Sequence, residues 1–141
     1  LMQTLRYEPF LIKPNHQELE ELAGSRLFTR EEIVAQGRRL QEMGAQNVLI
    51  SMAAEGAVLL TSDGKILFGE APRGTVRNSV GAGDSMVGGF VAGWLKTGSY
   101  KAALQWGIAA GSASAFCEGL ATGGEIFRLY DEKIKISDET T

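Results

Sequence analysis

Apolar positions along this chain follow two rhythms, and the rhythms alternate. Phe10-Leu11-Ile12 is a short apolar run closed by Pro14-Asn15, and Asn47 to Met52 is a second run. Both read as buried strands. Between them the spacing lengthens to that of helices. Gln17 to Ala23 reads as a short helix stopped at Gly24. Thr29-Arg30-Glu31-Glu32 has the spacing of a capping box, in which threonine and a glutamate three residues on satisfy free N–H groups reciprocally. Behind it Ile33, Gly37, Leu40 and Met43 fall on one helical face, and Gly44 stands where a C-terminal cap belongs. Ala57 to Thr61 and Lys65 to Phe68 then flank Ser62-Asp63-Gly64. An Asp-Gly pair between apolar runs predicts a hairpin.

After an irregular stretch from Pro72 to Asn78, two helices follow. From about Ser85 to Lys96, Val87, Phe90, Val91, Trp94 and Leu95 form an apolar stripe. From about Tyr100 to Cys117, Ala102, Ala103, Trp106, Ala109, Ala110, Ala113 and Phe116 form another. Both are rich in Gly, Ala and Ser, so their backbones can pack closely. Trp94 and Trp106 at this spacing read as core. The tail from Ser137 to Thr141 is polar and is expected to fray. No repeat or internal linker is visible, so 1–136 reads as one unit and 137–141 as a tail. The strand–helix–strand order predicts an α/β layer with a partly parallel sheet and an antiparallel hairpin.

Composition narrows the function classes. Of 141 residues, 44% are hydrophobic and 22% charged, ordinary values for a domain with a real core. A net charge of −3, from 14 basic and 17 acidic residues, argues against a nucleic-acid binder carried by bulk charge. Cys117 is the single cysteine, so no internal disulfide can form, and a reducing, cytoplasmic setting fits. On its apolar face it reads as a small buried hydrophobe. Asp84, Lys96 and Lys101 break the apolar runs, none of which approaches ~18–20 residues, so no membrane-spanning helix is expected. No signal peptide is visible. The opening Leu1-Met2-Gln3 lies near what reads as a helix end, so the chain reads as a piece of a longer one.

The candidate chemistry centres on Asn78 to Phe90. Gly81-Ala82-Gly83 forms a Gly-x-Gly turn opening a helix, with Asp84 at the turn. First-turn N–H groups are unpaired and lie at the positive end of the helix dipole, which suits a phosphate. A carboxylate beside such a socket can take a proton from an attacking hydroxyl. Anion cradle and base together are the minimum equipment for phosphoryl transfer. The plainer reading is a glycine turn entering a packed helix with Asp84 as its cap. No Gly-Lys-Ser/Thr follows, so this is not a Walker loop, and the third glycine of a dinucleotide fingerprint is missing.

Asn78 to Val87 resembles the second signature of the PfkB, or ribokinase-like, carbohydrate kinases. Within that family it is most similar to the 1-phosphofructokinase branch, with tagatose-6-phosphate kinases nearby. Leu11-Ile12-Lys13-Pro14-Asn15-His16-Gln17-Glu18 contains the family's Asn-x-x-Glu element, and Ser51-Met52-Ala53-Ala54-Glu55-Gly56 resembles its nucleotide-binding turn. The three occur in the family's order. The resemblance implies a three-layer α/β/α fold, here in part and corresponding to the family's C-terminal portion. It implies ATP and Mg²⁺ as cofactors, a sugar phosphate as acceptor, and a homodimer for the full-length protein. By the same resemblance Asp84 is the general base, and Gly81, Ala82 and Gly83 with the Asp84 N–H form the anion hole. Asn15 and Glu18 organise Mg²⁺ through water, Lys13 contacts phosphate, and Ser51, Met52, Ala53, Ala54, Glu55 and Gly56 line the ATP site. Ala53 departs from the family, which usually has glycine there. An alanine is harmless at negative φ and narrows the approach to ATP otherwise.

Other residues carry less. Glu18 alone reads as a solvated cap partner, and Lys13 as a strand-end lysine. His16, without a second histidine or a cysteine cluster, reads as a polar loop residue rather than a zinc ligand. Arg73 and Arg77 fit a phosphate contact or a solvated loop equally.

Overall fold

The computed structural model describes residues 5–72, 82–116 and 134–140. It divides into two compact units: Leu1–Ala53 with Ala57–Phe68 and Asp138–Thr141, and Ala54–Gly56 with Gly69–Ser137. One sheet of five strands runs in the order β1-β2-β3-β4-β5. These are Leu11–Ile12, Asn47–Ser51, Ala57–Leu60, Ile66–Gly69 and Ile136–Asp138. β1 lies parallel to β2, with Leu11 opposite Asn47 and Ile12 opposite Val48. β2 and β3 are antiparallel, with Val48 opposite Leu60 and Ser51 opposite Ala57. The sheet is therefore mixed, as the element order predicts.

In the first unit, helices α1 (His16–Ala23) and α2 (Arg30–Glu42) connect β1 to β2. A parallel pair needs such a crossover. The core joins Leu19, Ile33 and Leu40 of the helices to Ile12, Val48, Ile50, Val58, Leu60, Ile66 and Phe68 of the strands. The alternate strand residues Leu49 and Leu59 are fully buried too, which is why β2 and β3 read as continuous apolar runs rather than alternating ones. Gly24 ends α1 at φ +72°, the left-handed cap that the sequence predicts.

Several details differ from expectation. α2 ends at Glu42, and Met43, placed on its apolar face by spacing, is 44% exposed. Gly44 lies just beyond at φ +133°, where a Cβ would sit 1.9 Å from the Leu5 carbonyl oxygen. Thr29 caps α2 by accepting the Glu32 N–H at 3.1 Å. The return bond is shifted by one residue: the Glu32 carboxylate takes the Phe28 N–H at 3.4 Å and the Thr29 hydroxyl at 3.3 Å. The tail also departs from the expected fraying. Ile136–Asp138 is a strand, Glu139 N–H donates to the Ile66 carbonyl at 2.8 Å, and Ile66 N–H donates to Thr140 Oγ1 at 2.9 Å. Arg30 adds an ion pair to Glu139 at 2.5 Å and lies 3.7 Å over the Phe68 ring.

The second unit is built on α3 (Ala82–Thr97) and α4 (Tyr100–Phe116). α3 begins three residues before the position read from its stripe. Its Leu95 is 79% exposed, so the buried face is narrower than the stripe and centres on Phe90 and Gly93. α4 buries more than its stripe, since Leu104 and Ile108 are buried beside Ala103, Ala109, Ala110 and Ala113. Trp94 stacks on Tyr100 with ring centroids 4.3 Å apart. Cys117 and Arg73 to Gly81 lie outside the described residues. Among the described residues no helix is long and apolar enough to cross a membrane.

The two helices meet backbone to backbone. A Cβ on Gly89 would lie 2.6 Å from both the Trp106 carbonyl oxygen and the Ala110 Cβ, and one on Gly93 would lie 2.9 Å from Trp106 Cδ1. From the other side, a Cβ on Gly107 would lie 3.0 Å from the Met86 carbonyl oxygen. The adjacent Gly88 has nothing within 4 Å. Gly89→Ala is therefore expected to destabilise by about 1–3 kcal/mol, as overpacking does. Gly88→Ala should stabilise by about 0.5–1 kcal/mol, because an exposed helical alanine loses less entropy than glycine. Thermal melts of the two variants check this. Equal shifts would contradict the close approach.

Candidate active site

The first unit gathers its candidate residues at the carboxyl ends of the parallel pair β1 and β2, where open α/β sheets bind ligands. The chain leaves β1 through the half-buried Lys13 and the buried Pro14. Ser51 N–H donates to the Pro14 carbonyl at 3.2 Å, and Asn15 pairs with Ser51 in a parallel bridge. Asn15 is thus fixed beside the end of β2.

Asn15 is also the N-cap of α1. Its Oδ1 accepts the Glu18 N–H at 2.7 Å, and Glu18 Oε1 accepts the Asn15 N–H at 3.2 Å. This is a complete capping box, so the Asn-x-x-Glu spacing has a structural explanation beside any role with metal. Both side chains are exposed, and the box uses one carboxylate oxygen of Glu18. No group of three or more His, Cys, Asp or Glu side chains forms a metal cage among the described residues. Glu18 Oε2 is outside the box, and a single exposed carboxylate is the kind of donor that a hydrated Mg²⁺ takes, since that ion keeps several waters and binds one or two carboxylates.

His16 is not a loop residue; it opens α1. Its Nε2 lies 2.8 Å from the Leu27 carbonyl oxygen and 3.7 Å from Glu20 Oε2. Glu20 Oε2 in turn accepts the Leu27 N–H at 2.9 Å. The two side chains tie the segment after Gly24 to the helix, which is structural work.

Residues Ser51 to Gly56 join β2 to β3. Met52 turns its side chain into the core at 6% exposure, so only its backbone can face a ligand. Ala53 to Glu55 form a 3-10 turn in which Ala53 and Glu55 are exposed. Ala53 has φ +49°, so the alanine does occupy the left-handed region in which it differs from glycine. Gly56, at φ +106°, is required outright, because a Cβ would lie 1.9 Å from the Gly69 carbonyl oxygen.

In the second unit Ala82, Gly83 and Asp84 are the first three residues of α3 rather than a turn ahead of it. Their N–H groups have no partner within the helix. They lie at the positive end of its dipole, beside an exposed carboxylate. Gly81 and the Asn78 to Val80 stretch lie outside the described residues, as do Arg73 and Arg77. From α4, a Cβ on Gly111 would lie 3.2 Å from the Ala82 carbonyl oxygen. Gly107 and Gly111 thereby let α4 back the first two turns of α3. Sequence reasoning passed over them, although Gly89-x-x-x-Gly93 and Gly107-x-x-x-Gly111 were a readable sign of close helix contact.

Replacing Asn15 with alanine removes the cap and should destabilise by about 0.5–2 kcal/mol. Glu18→Gln keeps the reciprocal acceptor and should leave the melting temperature close to the parent's. A Glu18→Gln melt that falls as far as that of Asn15→Ala would show that the charge of Glu18 holds the helix start together with the box.

Residues 1–126 match the family model for pfkB family carbohydrate kinases. The chain is 43% identical over 132 residues to the 1-phosphofructokinase of Bacillus subtilis, covering 94% of this chain and 43% of that protein. It is 38% identical over 130 residues to the D-tagatose-1-phosphate kinase of Bacillus licheniformis, covering 92% of this chain and 41% of that one. A crystal structure of a provisionally named phosphofructokinase from Staphylococcus aureus superposes with a TM-score of 0.92 at 35% identity, over 99% of this chain and 45% of that chain. The fold is the ribokinase-like α/β fold, in part. The chain spans less than half the length of these relatives.

Proposed function

The chain belongs to the pfkB family of carbohydrate kinases, and on that premise we propose that it carries the nucleotide-binding and catalytic-base part of a sugar-phosphate kinase. The reaction moves the γ-phosphoryl group of ATP to a hydroxyl of a phosphorylated ketohexose. Fructose 1-phosphate, yielding fructose 1,6-bisphosphate, is the favoured acceptor, because the similarity to a 1-phosphofructokinase extends over nearly all of this chain. Tagatose 1-phosphate is the second choice, on the likeness to a D-tagatose-1-phosphate kinase, beside the tagatose 6-phosphate alternative that the sequence suggests. A cytoplasmic homodimer belongs to the same reading, by resemblance to the family.

The observation that carries the proposal is the start of α3 at Ala82, which puts three N–H groups without a partner inside the helix and the Asp84 carboxylate in one helical turn. In that arrangement Asp84 takes the proton of the acceptor hydroxyl. The N–H groups of Ala82, Gly83 and Asp84 stabilise the charge on the transferring phosphoryl group. Asn15 and Glu18 would hold Mg²⁺ through its waters, and the ion supplies charge neutralisation on the phosphates. The turn Ser51 to Gly56 lines the nucleotide.

In the full-length enzyme Asp84→Asn should lower kcat by about 10²–10⁴-fold, the range of a positioned acid or base, with Mg·ATP affinity little changed. Near-normal turnover would remove Asp84 from this role. A nucleotide-binding module without catalysis is the competing reading for the 141-residue chain, because it spans under half of its relatives. Phosphoryl transfer needs both reactants held together. In a coupled ADP-release assay this chain should bind nucleotide weakly and show negligible release dependent on fructose 1-phosphate. Robust sugar-dependent release would show that these residues alone build the acceptor site.

A further inference from the structure

The turn between β2 and β3 holds an alanine where alanine is disfavoured. At φ +49° Ala53 is left-handed, a conformation that sterics disfavour by about 5- to 30-fold for an L-residue. Strained residues persist where their surroundings over-determine them, or where the strain serves a second state. The flanks of this turn are over-determined. Ser51 N–H donates to the Pro14 carbonyl at 3.2 Å, Met52 is 6% exposed in the core, and Gly56 is wedged against the Gly69 carbonyl. Ala53 itself is exposed, as is Glu55. The strain therefore falls on an exposed residue in a short turn whose flanking residues are held.

We propose that Ala53 sets the nucleotide affinity of this turn: the left-handed form is the one that receives the nucleotide, and the turn relaxes when it is empty. The inference rests on the reading of Ser51 to Gly56 as part of the ATP site. Relaxation changes the backbone dihedrals of Ala53 to Glu55 together, so that the flanks stay in place. A ligand whose binding form is partly populated binds more weakly by that fraction. Ala53 thus lowers affinity without touching the ligand through its side chain, and favours release after turnover. Glycine takes the left-handed form readily but is also more flexible when the turn is empty. Valine, branched at Cβ, is excluded from that region more strongly than alanine.

Calorimetric titration of the full-length protein with Mg·ATP, for the parent, Ala53→Gly and Ala53→Val, tests this. The glycine variant should bind about two- to fivefold tighter, the relief of strain being partly offset by added flexibility. The valine variant should bind at least about fivefold weaker. Ligand-free melting temperatures should stay close to the parent's, because the empty turn is relaxed. A glycine variant that melts higher with unchanged affinity would show that the strain is locked into the fold, and would overturn the proposal. So would equal affinities in all three proteins. If the parent itself fails to bind Mg·ATP, the nucleotide reading of the turn fails and this inference with it. If the parent binds and glycine does not tighten binding, only this inference falls.

Discussion

The close contact of α3 with α4 is the constraint on which the candidate chemistry depends. Four glycines, Gly89 and Gly93 on one helix and Gly107 and Gly111 on the other, remove the side chains that would hold the backbones apart. Dispersion contacts are individually tiny, but a backbone-to-backbone seam gathers many of them and leaves little freedom to slide. Gly111 sets α4 against the Ala82 carbonyl, at the residue where α3 begins. The packing of Gly111 against the Ala82 carbonyl therefore helps to set the position of the first turn, and with it the direction of its N–H groups. Preorganised donors of this kind need no reorganisation when charge develops, which is what makes them effective.

The first unit uses a different device for a related purpose. A short parallel pair, β1 with β2, brings the start of α1 to the end of β2, and the Asn15–Glu18 capping box fixes the helix entry. The same two side chains serve the fold and remain exposed to solvent, so under the proposed function stability and ligand chemistry would share residues there. The neighbouring turn shows the opposite economy. Gly56 is demanded by a steric collision, whereas Ala53, whose side chain is exposed, sits in a left-handed conformation.

Much of this was legible in the sequence because the signals were local. The Asp63-Gly64 hairpin, the Gly24 cap and the apolar runs of β1 and β2 are short-range features, and each appears where its residues predict. The motif from Asn78 to Val87 suggested the family, and the match over residues 1–126 bears that out. What was misread depends on partners distant in the chain. β5 pairs with a strand near Ile66, and nothing within Ser137 to Thr141 announces that partner. Leu95 fits a helical stripe by period, but the glycine seam buries a narrower face, so it stays exposed. The start of α3 was placed late because Ala82 and Gly83 read as part of a glycine turn. In a first turn, where N–H groups are unpaired anyway, they are tolerated. The φ of Ala53 had no local signal at all, since alanine prefers the negative region.

The central claim is that the open first turn of α3 receives the transferring phosphoryl group. Amide shifts of Ala82, Gly83 and Asp84 in ¹⁵N-resolved spectra, recorded on the full-length protein as Mg·ATP is added, test it most directly. The account predicts large, saturable changes at these three amides. It predicts little change at Arg30, Glu31 and Glu32, the first turn of α2, where Thr29 already caps the Glu32 N–H. Saturable nucleotide binding that leaves the Ala82 to Asp84 amides unmoved would contradict it.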